Sequence, residues 1–90
     1  FPSAAPAAYG EVSVNGEVVA ELDLNQDTSL TVSGWHGGSN TIVVQNGAIS
    51  VTEATCPDHV CIHTGEISRT GETIVCLPNR LIITIIQDGG

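Results

Sequence analysis

The chain's apolar residues recur with a period of two, and that period is broken again and again by Asn-Gly. Val12 and Val14 alternate with polar neighbours, Asn15-Gly16 follows, and Glu17-Val18-Val19-Ala20-Glu21-Leu22 resumes the pattern. Thr41-Ile42-Val43-Val44 leads into Asn46-Gly47, and Ala48-Ile49-Ser50-Val51 returns. Both central residues of the tightest hairpin turn need positive φ, which Asn and Gly accept, so each Asn-Gly predicts a two-residue hairpin. A third hairpin is expected over Ile67–Ile74, with Gly71 in the left-handed position of its loop. Leu81-Ile82-Ile83-Thr84-Ile85-Ile86 is a nearly unbroken β-former run, which predicts a central strand covered on both faces.

The Leu22–Val32 stretch reads as strand end, polar turn and strand, and Gly34-Trp35-His36-Gly37-Gly38 reads as a loop with Trp35 as a lid on the core. Only the stretch from Cys56 to Cys61 could start a helical turn, with Pro57 at its first position and Asp58 near its positive end. About seven short strands separated by Gly-rich turns specify an all-β domain, either a small barrel-like closure or a sandwich. Residues 10–90 form that single domain, and residues 1–9, rich in Ala and Pro, read as a tail or linker left behind a removed N-terminal segment.

Charge excludes whole classes of function. Ten acidic residues face two basic ones, Arg69 and Arg80, and there is no lysine, giving a net charge of −8. Nucleic-acid binding rests on Lys and Arg neutralising phosphates, so no DNA or RNA partner is expected. Anionic lipid is disfavoured on the same ground. No stretch approaches the roughly 18 apolar residues of a membrane span, so direct insertion by this segment is not expected.

The chemistry-bearing residues are concentrated in Cys56-Pro57-Asp58-His59-Val60-Cys61-Ile62-His63 and in Cys76-Leu77-Pro78-Asn79-Arg80. Zinc would need four ligands closely paired on both sides, and the second segment supplies only Cys76. A Rieske-type cluster needs histidine in both loops, and the second has none. A cysteine nucleophile or redox centre wants a cationic neighbour, whereas this chain is acidic throughout. No metal, cofactor or catalytic residue is therefore assigned. Glu17, Glu21, Asp23 and Asp27 lack the order of a calcium-binding loop.

The three cysteines read instead as one disulfide and one buried thiol, with Cys76 joined to Cys56 or to Cys61. A Cys56–Cys61 bridge would have to span roughly 8 Å along a helical turn, beyond the reach of about 7 Å between Cα atoms. A bridge to Cys76 would set Pro57-Asp58-His59 beside Leu77-Pro78-Asn79-Arg80 and make those residues the expected partner-contact surface.

The words Cys56-Pro57-Asp58, Cys61, Gly65, Gly71 and Ile74-Val75-Cys76-Leu77-Pro78-Asn79, with the Asn15-Gly16 and Asn46-Gly47 hairpins and the closing Ile/Leu strand, resemble the NusG domain II family over residues 10–87. The resemblance implies a barrel-like β domain, similar to the insertion domain of some bacterial NusG transcription factors. It also implies a stand-alone bacterial version held outside the cytoplasm behind an N-terminal anchor. It brings no catalytic residues. The expected function is a non-enzymatic extracytoplasmic interaction module with an unidentified protein partner. The alternatives are a redox or metal-linked accessory protein using Cys56, Cys61 and Cys76, and a transcription-associated domain.

Overall fold

The computed structural model describes residues 8–55 and 60–87. Among these residues, seven strands form two antiparallel sheets. They are β1 (Ala8–Val14), β2 (Glu17–Asp23), β3 (Thr28–Ser33), β4 (Ser39–Gln45), β5 (Ala48–Ala54), β6 (Thr73–Cys76) and β7 (Leu81–Gln87). A 3-10 turn occupies Trp35–Gly37, and one short helix, α1, spans Val60–His63. The first sheet has the order β2-β1-β7-β6, and the second is a meander of β3-β4-β5. The helix α1 packs against both β5 and β6, and so bridges one flank of the sandwich.

Alternation in the sequence becomes alternation of burial. Val12, Ile74, Leu81, Ile83 and Ile85 project inward from the first sheet, and Val32, Ile42, Val44, Ile49 and Val51 meet them from the second. Gly10 lies on the same inner face, where an added Cβ would overlap the Ile49 side chain. This absence of a side chain lets the sheets close over Ile49.

Both Asn-Gly hairpins form as expected, with Asn15 and Gly16 at φ 52° and 82°, and Asn46 and Gly47 at 54° and 80°. The third hairpin does not form. Ile67 pairs with Ile49 of β5 through reciprocal backbone bonds of 2.8 Å. Glu72, in contrast, already pairs with Ile85 of β7, at 3.0 Å. The reason lies in the intervening turn, where the Glu72 carboxylate accepts the Ser68 and Arg69 backbone N–H groups at 3.0 and 2.7 Å. Donors captured by a carboxylate cannot enter a ladder. Gly71 does take the left-handed conformation, at φ 92°, but it turns the chain from one sheet to the other.

Those two N–H bonds, helped by the Arg69 charge, hold the exposed Glu72 carboxyl below its ordinary value of 4.5. A depressed folded-state pKa adds stability that is present above the unfolded value and is lost as pH falls through the folded one. Urea midpoints measured from neutral pH down through the region below 4.5 should therefore fall with acid. Glu72→Gln should flatten that fall, and an unchanged slope in the variant would place its origin elsewhere.

The last strand also differs from expectation. It is central, between β1 and β6, but only one of its faces is covered. Leu81, Ile83 and Ile85 are buried, whereas Ile82 is 40% exposed. No layer packs over the outer face of the first sheet among the described residues, so the unbroken apolar run places Ile82 against solvent.

Candidate functional site

The turn that joins β6 to β7 carries four of the sequence-selected residues, and the structure separates them. Leu77 is 79% exposed, and Pro78 and Arg80 are exposed beside it, whereas Asn79 is only 4% exposed. The Arg80 N–H donates to the Leu77 carbonyl at 3.0 Å and closes the turn. Asn79 thus points inward while its neighbours point out. Cys56, Pro57, Asp58 and His59 lie outside the described residues, so the expected juxtaposition of the two loops does as well.

Asn79 reaches across to the second sheet. Its Nδ2 donates to Asn40 Oδ1 at 2.8 Å, to the Ser39 carbonyl at 3.2 Å and to Thr55 Oγ1 at 3.3 Å. Its own carbonyl accepts the Trp35 N–H at 3.0 Å. The niche is made by glycine: a Cβ on Gly34 would meet Asn79 Cβ at 2.8 Å, and one on Gly38 would overlap the Asn79 side-chain oxygen. Asn40 is itself 1% exposed and passes the network on, since its Nδ2 donates to Cys61 Sγ at 3.5 Å. Asn79 therefore works as a polar plug between the sheets and leaves the expected contact surface. Nothing in the residue name distinguishes a plug from a surface amide. The Gly34 and Gly38 pair was the available signal, because paired glycines mark a close approach.

Cys61 and Cys76 are 0% and 1% exposed, and no disulfide joins them to each other. They fill core volume from α1 and β6 as small apolar side chains do. Of the two expected pairings of Cys76, the one with Cys61 is not formed, and the one with Cys56 lies outside the described residues. Sealed from solvent, the Cys61 and Cys76 sulfurs lack the access that a nucleophile or redox sensor requires. Among the described residues, no three His, Cys, Asp or Glu side chains gather closely enough to hold a metal ion. No helix among them is long and apolar enough to cross a membrane.

Arg80 is held, though exposed. Its guanidinium carbon lies 4.2 Å from the centroid of the Trp35 ring, and its Nη1 donates to Asn15 Oδ1 at 3.0 Å. The Asn15 N–H in turn donates to the Arg80 carbonyl at 2.8 Å. Trp35 is half-buried, so its outer face serves as the shelf for this cation. The backbone of Arg80 is left-handed, at φ 52°, which costs a non-glycine residue about 1 kcal/mol. Arg80→Ala loses the cation–π contact but keeps that strain, and should destabilise by about 1 kcal/mol. Arg80→Gly loses the same contact and relieves the strain, so it should stay within about 0.5 kcal/mol of the parent. Urea melts of the pair test this, and equal destabilisation in both would remove the backbone term.

Around this turn lies an open groove of 320 Å³, lined by Asn15, Gly16, Val75, Leu77, Arg80 and Ile82 among others. Val75, Leu77 and Ile82 give it apolar walls, and register continues them along the outer face. Val18 pairs with Ser13, Ser13 with Ile82, and Ile82 with Val75, so these four residues form one row across the outer face. Val18 is 49% exposed and Ile82 40%. The next row on that face is Glu21-Glu11-Thr84-Thr73. Arg80 stands at one end of the groove, and the glutamate pair lies beyond the other.

The family model for NusG domain II matches residues 3–89. The chain belongs to the NusG domain II family. Solved structures agree with it. A DUF1312 family protein from Ruminococcus gnavus is 38% identical, with a TM-score of 0.76 over 88% of this chain and 97% of that one. A DUF1312 family protein from Enterococcus faecalis is 32% identical, with a TM-score of 0.83 over 90% and 98%. The Lin0431 protein from Listeria innocua is 29% identical, with a TM-score of 0.82 over 91% and 98%. Among proteins of curated function, none matches. The matched region spans nearly the whole of each of these solved chains, and none of their names carries an activity.

Proposed function

We propose that this NusG domain II protein is a non-enzymatic interaction module working outside the bacterial cytoplasm, with the groove beside Leu77 as its contact face. The observation that carries the reading is the row Val18-Ser13-Ile82-Val75, continued by the 79%-exposed Leu77. Solvent-facing positions of a one-sided sheet are ordinarily polar, and a connected apolar patch rimmed by polar residues marks an interaction surface. The placement supports it. Ala8 and Gln87 pair at one end of the first sheet, while the groove lies at the other, about 20 Å away along β1. Ala8 and Gln87 thus stand at the far end of the sheet from the groove. The sealed Cys61 and Cys76 speak against the thiol-based alternative. The compartment rests on the family resemblance.

The test is a photo-crosslinking amino acid placed at Leu77 in the native host, with the same residue at the exposed Ser29 of the second sheet as control. A protein adduct specific to the Leu77 position is expected. Fractionation and protease accessibility of the same cells report the compartment. Identical adducts from both positions, or none from Leu77, would sink the reading of this face.

A further inference from the structure

Glu11 of β1 and Glu21 of β2 stand directly opposite each other on the outer face. Like charges in that position destabilise a sheet, and neither cation relieves them. Arg80 is engaged with Trp35 and Asn15, and Arg69 sits beside Glu72. Features that break a local rule without internal compensation are where function is to be sought. The acidic row lies two residues along the strands from the apolar row, which is about 7 Å. Groove and glutamate pair therefore form one surface with a fixed spacing between an aliphatic socket and a cation-seeking site.

We propose that this surface receives a short segment of a cationic protein partner, with an aliphatic side chain in the groove and a Lys or Arg against Glu11 and Glu21. The proposal rests on the reading of the domain as an interaction module and adds the chemistry of its partner. Charge complementarity selects the occupant. A second copy would bring its own −8 and its own glutamate pair to the contact, and like charges across an interface suppress association. Anionic lipid and nucleic acid are repelled by the same pair. The spacing matches residues i and i+2 of an extended segment, whose side chains share a face. Arg80 at the opposite end gives the groove a polarity, so that the segment's cation is directed away from it and toward the glutamates. Long-range attraction to an acidic face would speed encounter, and the aliphatic anchor would set residence.

The experiment is an NMR titration of the isotope-labelled full chain at low salt with short capped peptides. In the first, leucine and lysine occupy alternate positions two apart, with serine between. The second replaces leucine by alanine, and the third replaces lysine by glutamate. The leucine–lysine peptide should shift the amides of Glu11, Ser13, Leu77 and Ile82 saturably. Its affinity should exceed that of the alanine peptide by about tenfold, the scale of a lost anchor. The glutamate peptide should leave the spectrum unchanged. Leu77→Ser should weaken the first peptide by about tenfold, and Glu11→Gln with Glu21→Gln by about threefold with a reduced salt dependence. Leu77 and Glu21 are exposed and Glu11 is half-buried, and unchanged spectra of the free variants certify the fold. Equal binding of the alanine or glutamate peptide overturns the proposal, as do shifts confined to β3–β5. Self-association abolished by Leu77→Ser, or sedimentation with phosphatidylglycerol vesicles, would overturn it by giving the face to another occupant. If a Leu77 crosslink forms in cells while the peptides fail, the module reading stands and the cationic-partner proposal falls.

Discussion

Asn79→Ala should destabilise the domain by about 3 kcal/mol, the scale on which a buried polar network fails when one member is removed. The Nδ2 of Asn79 serves Asn40, Ser39 and Thr55 at 2.8–3.3 Å. Removing it leaves Asn40 Oδ1, in a residue only 1% exposed, without that donor. An unmade hydrogen bond of this kind costs more than a made one contributes, because the orphaned group has left water. A domain of 90 residues has only about 5–13 kcal/mol in total, so the change should be plain in a urea melt. Asn79→Asp should be at least as damaging, since a carboxylate would face acceptors where a donor is required. A shift under about 1 kcal/mol would show that water replaces the amide and that the plug is not closed.

Gly38→Ala should destabilise by about 2–3 kcal/mol, although its backbone is unremarkable. At φ −70° an alanine is not strained. The effect comes from the position its methyl would occupy, over the Asn79 side-chain oxygen and 2.7 Å from Asn79 Cγ. Either the amide is driven from its three acceptors or the sheets part. The two substitutions touch one network and should be strongly non-additive. With Asn79 already alanine, only Thr55 Oγ1, at 3.0 Å, still crowds that methyl, and Gly38→Ala should then cost less than about 1 kcal/mol. Additive losses across the four-member cycle would place the defect in Gly38 itself.

Local physics made most of the fold legible. Asn15-Gly16 and Asn46-Gly47 announced their hairpins because positive φ is a property of the turn alone. Alternation located the inner faces of β1, β4 and β5 for the same reason. Legibility ended where a residue's role depended on something distant in the chain. Ile67 prefers Ile49 to Ile74 because the Glu72 carboxylate has taken the intervening donors. Ile82 reads as buried in a run of isoleucines, yet among the described residues no layer covers it and it is a surface residue. The cluster of cysteines drew attention to chemistry, yet Cys61 and Cys76 spend their side chains on packing. The groove emerged from register, which places Val18, Ile82 and Val75 in one row although they come from three strands.

The insertion of β7 between β1 and β6 has a consequence for how the chain acquires its shape during synthesis. The second sheet is a meander of neighbours in sequence, β3-β4-β5, so it can assemble as soon as those strands have left the ribosome. The first sheet cannot. Its central strand is made last and must pair with the strand made first, Ala8 against Gln87 and Val14 against Leu81. Contacts of such long separation are slow to form, because the loop entropy is lost before the pairing rewards it. Until β7 arrives, the β1–β2 hairpin has no partner on its other edge and Asn79 has not reached its niche. Maturation of the domain is therefore gated by its final strand, and a chain interrupted before Leu81 would hold a meander and a stranded hairpin without the sandwich that unites them.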